Sequence, residues 1–192
     1  IVKKLIIVNY KKIENLKFFE GVDKPTHFTI ELRPTTKCNY NCFYCTDLHI
    51  NENSIVRLNE ENLVKVVKSI KKYTKKDIHI FVCGGEPTVY PYLTDLLNTV
   101  IKTFNNNDFI EIQSNLGMSY NKLIKFINKI DCIDKIKISA SYHNTQCKNY
   151  PSFIKKCLYL KKLEMLKMIS YGYNSKKSVI KDFELGLKVI GE

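Results

Sequence analysis

The stretch Lys37 to Cys45 reads KCNYNCFYC and sets Cys38, Cys42 and Cys45 at C-x3-C-x2-C spacing. Thiolates crowded this closely on a loop are first of all candidate metal ligands. A structural Zn²⁺ takes four ligands. His49, which extends the pattern to C-x3-C-x2-C-x3-H, could supply the fourth. An iron–sulfur cluster is the other occupant, because cysteine thiolates are its usual ligands. Three cysteines on a four-iron cluster leave one iron without a protein ligand, and an open coordination position is what a catalytic metal needs. Tyr40, Phe43 and Tyr44, interleaved with the cysteines, would limit solvent there, and burial tunes a cluster's potential.

The remaining cysteines bear on compartment. Seven is an odd number, and the longest early apolar run, Leu5 to Val8, is too short for the core of a secretory signal peptide. Both argue against a disulfide framework and for a reducing compartment, the cytoplasm. Cys132 and Cys157 lie in apolar, near-helical surroundings and read as buried small hydrophobes. Cys147 sits in a polar loop with no assigned role. No apolar run approaches the roughly 18 residues of a membrane span. The chain opens on Ile1 rather than Met, as a fragment would.

The net charge of +12 raises a nucleic-acid role. Among 31 basic residues, however, only Arg33 and Arg57 are arginine, the side chain suited to bidentate phosphate and base contacts. The lysines are spread along presumed helix faces, as at Lys65, Lys68, Lys71, Lys72 and Lys75. A solvated surface accounts for them better than a nucleic-acid interface does.

Elements must position the loop, and the chain alternates β-prone runs with helical periodicity. Ile1 to Tyr10 predicts an extra strand, so residues 1–26 read as an N-terminal extension and 27–192 as a single core domain. His27 to Arg33 predicts the first core strand, closed by Pro34. Asn59-Glu60-Glu61 opens a helix with Leu63, Val66, Val67 and Ile70 on one face, capped by Asn and with acids in its first turn. Asp77 to Cys83 is a strand; a helix follows from Pro91 to Phe104. Phe109 to Gln113 is a strand and Tyr120 to Ile130 a helix. Lys135 to Ala140 is a strand, followed by a helix opened by Pro151. Met165 to Tyr171 predicts the fifth core strand and Ser178 to Ile190 the last helix. Alternation of this kind implies parallel strands joined by right-handed crossovers. Either an open doubly wound sheet or a barrel, complete or partial, satisfies it.

Ligands in parallel α/β folds bind beyond the carboxyl ends of the strands. The cysteine loop follows the first core strand, Gly84-Gly85-Glu86-Pro87-Thr88 the second, and Ser114-Asn115-Leu116-Gly117 the third. Ser139, Ser141 and His143 lie near the end of the fourth; Tyr171, Tyr173 and Asn174 lie at the end of the fifth. All the unusual polar clusters fall on one rim, which makes a single site of them. No Ser-His-Asp or Cys-His arrangement is expected on it.

At CNYNCFYC, and again at GGEPT at the next strand end, the sequence resembles the radical S-adenosylmethionine (radical SAM) superfamily. The likeness runs from about Phe28 to the C-terminus. It implies a partial (β/α)6 TIM-like barrel; with five core strands visible, the fold reads as shortened after the fifth βα unit. It implies a [4Fe–4S] cluster on Cys38, Cys42 and Cys45 whose open iron chelates S-adenosylmethionine (SAM). Gly84, Gly85 and Glu86 would bind the methionyl amine; a plain strand–helix turn is the bland reading of that segment. Tyr44 would lie near the adenine. Ser114 and Asn115 would contact the ribose or carboxylate, with an Asn helix cap as the alternative. Ser139 or Ser141 would contact the cofactor, according to the pleat. His143 reads as a substrate contact or proton donor, or more simply as a solvent-facing loop histidine. The implied activity is reductive cleavage of SAM to a 5′-deoxyadenosyl radical that abstracts hydrogen from a peptide, protein or small metabolite. The electron comes from an external donor such as flavodoxin or ferredoxin. A nucleotide or RNA substrate, and a non-catalytic zinc or iron–sulfur module, are the other readings.

Overall fold

The structure, a computed structural model, describes residues 5–7, 27–45 and 58–172; for residues 5–7 and 171–172 it gives the course of the backbone alone. Six strands form one sheet: β1 (Leu5–Ile7), β2 (His27–Leu32), β3 (Asp77–Val82), β4 (Phe109–Ser114), β5 (Ile136–His143) and β6 (Leu166–Gly172). Their order in the sheet is their order in the chain, and every neighbouring pair is parallel. That order separates the two expected architectures. A doubly wound sheet reverses direction at a switch point. Here nothing reverses, so right-handed crossovers place the helices on one face, as in a barrel wall. The helices are α1 (Glu60–Tyr73), α2 (Leu93–Ile101), α3 (Tyr120–Ile127) and α4 (Tyr150–Lys162).

The two faces of the sheet differ in chemistry because side chains alternate. Even-numbered positions are apolar and buried: Phe28, Ile30 and Leu32 on β2, Ile78, Ile80 and Val82 on β3, Ile110 and Ile112 on β4, Ile136 and Ile138 on β5. They share one core with Leu63 and Val67 of α1, Leu96 and Leu97 of α2, Leu123 of α3, and Phe153 and Leu160 of α4. Burying each such side chain stabilises the fold by about 1.5–3 kcal/mol. Odd-numbered positions carry Thr29, Glu31, His79, Glu111, Ser139 and Ser141, polar and also buried. This second face is the inner wall of the partial barrel.

The element boundaries follow local signals. Asn59 caps α1, its Oδ1 accepting from the Asn62 backbone N–H at 3.0 Å, with Glu60 and Glu61 in the first turn and Lys71 and Lys72 in the last. Those charges complement the helix dipole. Pro151 stands in the first turn of α4, capped by Asn149. Several boundaries move from expectation. The helix assigned to begin at Pro91 begins at Leu93, because Pro87–Val89 first makes a 3-10 turn. The third helix stops at Ile127 rather than Ile130. The fourth core strand reaches His143 rather than Ala140, because β6 pairs with it as far as His143↔Gly172. Cys132 is exposed, heading a short 3-10 turn, and not the buried hydrophobe expected; Cys157 is buried as expected. The last helix, Ser178 to Ile190, lies outside the described residues, as do His49, Arg57, Tyr173 and Asn174. No helix among the described residues is long and apolar enough to cross a membrane.

Candidate functional site

The site is built outward from two backbone junctions. Beyond the end of β2, the chain from Arg33 to Lys37 runs beside the chain leaving β3. The Cys83 N–H donates to the Leu32 carbonyl, Gly85 N–H to Thr35 and Glu86 N–H to Lys37, each at 2.9 Å. The ladder thus extends past both strands into the start of the cysteine loop. Gly85 is glycine for this reason: a Cβ there would stand 2.3 Å from the Lys37 carbonyl oxygen and 2.5 Å from that of Thr36. Gly84 has φ +113°, a region costly for any L side chain. The glycines admit the cysteine loop's backbone.

Glu86 is the second junction. It is 1 % exposed. Its Oε1 accepts from the Thr88 N–H (3.1 Å), the Thr88 hydroxyl (2.5 Å) and the Ser114 hydroxyl (2.7 Å). Its Oε2 accepts from the Asn115 N–H at 2.7 Å. Burial pushes this carboxyl up, and the bonds from Thr88, Asn115 and Ser114 pull against it. A carboxylate oxygen has about two acceptor positions, so Oε1 is filled and Oε2 keeps one. Glu86 ties the end of β3 to the end of β4, and GGEP is more than a plain turn.

The three cysteines sit where these junctions meet. The Tyr40 N–H points at Cys38 Sγ from 3.4 Å, and Asn115 Nδ2 lies 3.7 Å from the same sulfur. Asn115 also donates to Asn39 Oδ1 at 2.7 Å and accepts from the Gly117 N–H at 2.7 Å. It does not cap a helix; Ser119 caps α3. The Cys45 N–H donates to the Cys42 carbonyl at 2.9 Å, closing a turn. Cys42 is 5 % exposed, and its Sγ lies 3.5 Å from His143 Nδ1. Burial raises the Cys38 and Cys42 thiols, with neighbouring acidic groups adding to the effect at both.

A cavity of about 320 Å³ collects these residues: Cys38, Cys42, Cys45, Tyr44, Gly84, Gly85, Glu86, Ser114, Asn115, Ser141 and His143. Of the site residues read from sequence, Ser139 alone stays out of it; its hydroxyl donates to Glu111 Oε1 at 2.6 Å deeper in the barrel. The pleat does not choose between Ser139 and Ser141, since residues two apart share a face. Depth along β5 chooses. Phe43 is 67 % exposed and meets only the outer side of the site, edge-on to Tyr44 at 5.0 Å, whereas Tyr40 and Tyr44 turn inward. Their rings flank His143, Tyr44 stacked at 6.0 Å and Tyr40 edge-on at 5.9 Å. His143 is therefore a half-buried wall residue at the end of a strand and not a loop histidine in solvent; burial lowers its pKa. Among the described residues no three His, Cys, Asp or Glu side chains converge as one metal ion would require.

Sequence reasoning missed several lining residues: Glu31, Arg33, Phe81, Cys83 and Gln113. Strand parity could have found them, since each is an odd position facing the lumen. It also missed Gln146 of the turn after β5. The Gln146 amide accepts from the Asn41 N–H and donates to the Asn41 carbonyl, both at 3.2 Å. No sequence signal marks that pairing.

The fold and rim define a singly wound α/β partial barrel with a three-cysteine loop at the carboxyl edge of its sheet. Residues 32–172 match the family model of the Radical SAM superfamily. The chain belongs to that superfamily. It is 30% identical over 121 residues to a UPF0026 protein of Helicobacter pylori, covering 55% of this chain and 38% of that protein. It is 32% identical over 79 residues to a probable GTP 3',8-cyclase of Thermoplasma volcanium, covering 41% of this chain and 23% of that protein. The chain thus spans well under half the length of the curated relatives it matches. Streptococcus suis SuiB bound to S-adenosylmethionine superposes with a TM-score of 0.57 at 14% identity, over 85% of this chain and 37% of SuiB. At that identity the likeness is one of fold.

Proposed function

We propose that Cys38, Cys42 and Cys45 hold a [4Fe–4S] cluster and that the cavity beside them receives SAM. When bound, the cluster supplies one electron for reductive cleavage of SAM, yielding methionine and a 5′-deoxyadenosyl radical that abstracts hydrogen from substrate. One observation carries this reading. The C-x3-C-x2-C thiols, the Gly84–Glu86 turn and the Ser114–Asn115 turn line a single cavity.

The chain's own residues then have distinct tasks. Gly84 and Gly85 set the cysteine loop against the strand ends. Glu86 anchors Thr88, Ser114 and Asn115 and keeps one acceptor position on Oε2, so the methionyl amine is left to that oxygen and to backbone carbonyls of the Gly84–Glu86 turn. Ser141 and Gln113, 3.4 Å apart, offer a hydroxyl and an amide to a ribose or substrate. Tyr44 presents an aromatic face for the adenine. The inner wall limits water around the cofactor.

The substrate is a peptide, protein or small metabolite with an unactivated C–H bond. The similarity to the Thermoplasma protein favours a nucleotide as the second reading. An external one-electron donor such as flavodoxin or ferredoxin is required. With no disulfide among seven cysteines, a reducing compartment, the cytoplasm, suits the chain.

Anaerobic reconstitution with iron and sulfide tests the proposal. The expected product is brown, with an electron paramagnetic resonance (EPR) signal that SAM perturbs, and it forms 5′-deoxyadenosine under reduction. Cys42→Ala abolishes both. A colourless protein holding one zinc ion overturns the reading.

A further inference from the structure

We infer that His143 hydrogen-bonds the sulfur of Cys42 and thereby sets the reduction potential of the cluster; this rests on the reading of Cys42 as a ligand. His143 Nδ1 is 3.5 Å from Cys42 Sγ and 3.0 Å from the Tyr44 hydroxyl oxygen. A thiolate ligand has no proton of its own and can only accept. Facing it and the nearer Tyr44 hydroxyl oxygen, which can accept as well, His143 takes the tautomer with hydrogen on Nδ1, shared between the oxygen and the sulfur.

Three elements fix the ring in this place. β5 carries His143 as its last residue, in register with Gly172 of β6. The turn beyond folds back on it, with the Gln146 and Cys147 N–H groups donating to the His143 carbonyl at 3.0 and 2.8 Å. The same turn grips the cysteine loop through the Gln146–Asn41 pair, one residue before Cys42. Tyr40 and Tyr44 hold the ring edge-on and face-on. A side chain so constrained from strand, turn and loop is positioned toward the sulfur rather than free to serve a substrate.

The chemistry gives the direction of the effect. An N–H donated to a ligand sulfur withdraws electron density, which favours the reduced, more negative cluster and raises its potential. Losing the donor makes the cluster harder to reduce.

The test is an EPR-monitored anaerobic redox titration of the reconstituted chain, with iron content measured alongside. His143→Phe keeps an aromatic ring against Tyr44 and removes the donor. His143→Gln restores an N–H. Full iron content is expected in both, with a more negative midpoint potential in His143→Phe and an intermediate one in His143→Gln. A fully loaded His143→Phe protein with unchanged potential overturns the inference. Should that variant not fold, pulsed EPR on the unmutated chain labelled with ¹⁵N-histidine decides. A ¹⁵N coupling to the reduced cluster supports the contact and its absence overturns it. Failure of the unmutated chain to take up any iron–sulfur cluster sinks the ligand reading instead, and is distinguishable because no potential is then measurable.

Discussion

Gly85 shows how one residue's identity is dictated by a neighbouring backbone. Its N–H bonds the Thr35 carbonyl, and the space where a Cβ would go is filled by the Thr36 and Lys37 carbonyl oxygens. Backbone atoms cannot swing aside as a side chain would. Gly85→Ala is therefore expected to cost about 1–3 kcal/mol, the usual range for overpacking, measured by urea unfolding. It is also expected to push the cysteine loop outward, lowering iron uptake on reconstitution. Glu86→Gln acts at the opposite junction. Its carboxylate accepts from four donors, and an amide nitrogen in place of one oxygen turns at least one of these contacts donor-to-donor. A buried donor left unpaired costs about 1–3 kcal/mol. The expected outcome is reduced stability, with weaker SAM binding by calorimetry as the Ser114–Asn115 turn loosens.

At the scale of elements, α4 braces the turn after β4 through Lys156. This lysine is buried, and its Nζ donates to the Leu116 and Met118 carbonyls. Burial lowers its pKa. Leu116 itself has φ +49°, unusual for a side chain of its size, and follows Asn115, which touches Cys38. The ammonium thus holds a strained turn against the cysteine loop from a helix on the other side of the wall. Lys156→Met is expected to leave both carbonyls unpaired, costing about 1–3 kcal/mol, and to shift the EPR line shape of the SAM complex. Phe153→Ala on the same helix, facing only the core, is expected to cost about 3–5 kcal/mol in thermal or urea unfolding while leaving that line shape unchanged. The contrast separates positioning from packing.

For the whole molecule, the sequence carried the apolar half of the design and little of the polar half. Helix and strand order followed from 3.6- and 2-residue periodicity, and the rim followed from where strands ended. Curvature did not follow from periodicity, because only strand order in space distinguishes a singly wound wall from a doubly wound sheet; the motif resemblance alone implied the partial barrel. Nor did the inner wall, where Glu31, His79, Glu111 and Ser139 interrupt apolar strands at positions that parity alone assigns to one face. Those residues make an acid-sensitive network. Burial would raise the Glu111 carboxyl, but hydrogen bonds from His79, Lys167 and Ser139, with the Lys167 charge, outweigh it and bring it down to about 2. An unfolded Glu titrates near 4.3. A depressed carboxyl contributes stability that is complete above the unfolded value and is lost as pH falls through the folded one. Between about pH 4.5 and 2, then, the Glu111 contribution drains away, and unfolding free energy is expected to fall with acid across that window. Glu111→Gln, which cannot titrate, is expected to be less stable at pH 7, where Lys167 loses its charged partner and a single amide oxygen replaces the two oxygens that meet His79, Lys167 and Ser139. It is also expected to show a shallower decline between pH 4.5 and 2 in urea titrations followed by circular dichroism. Parallel slopes for the two proteins would mean that the network across β3, β4 and β6 contributes nothing to acid stability.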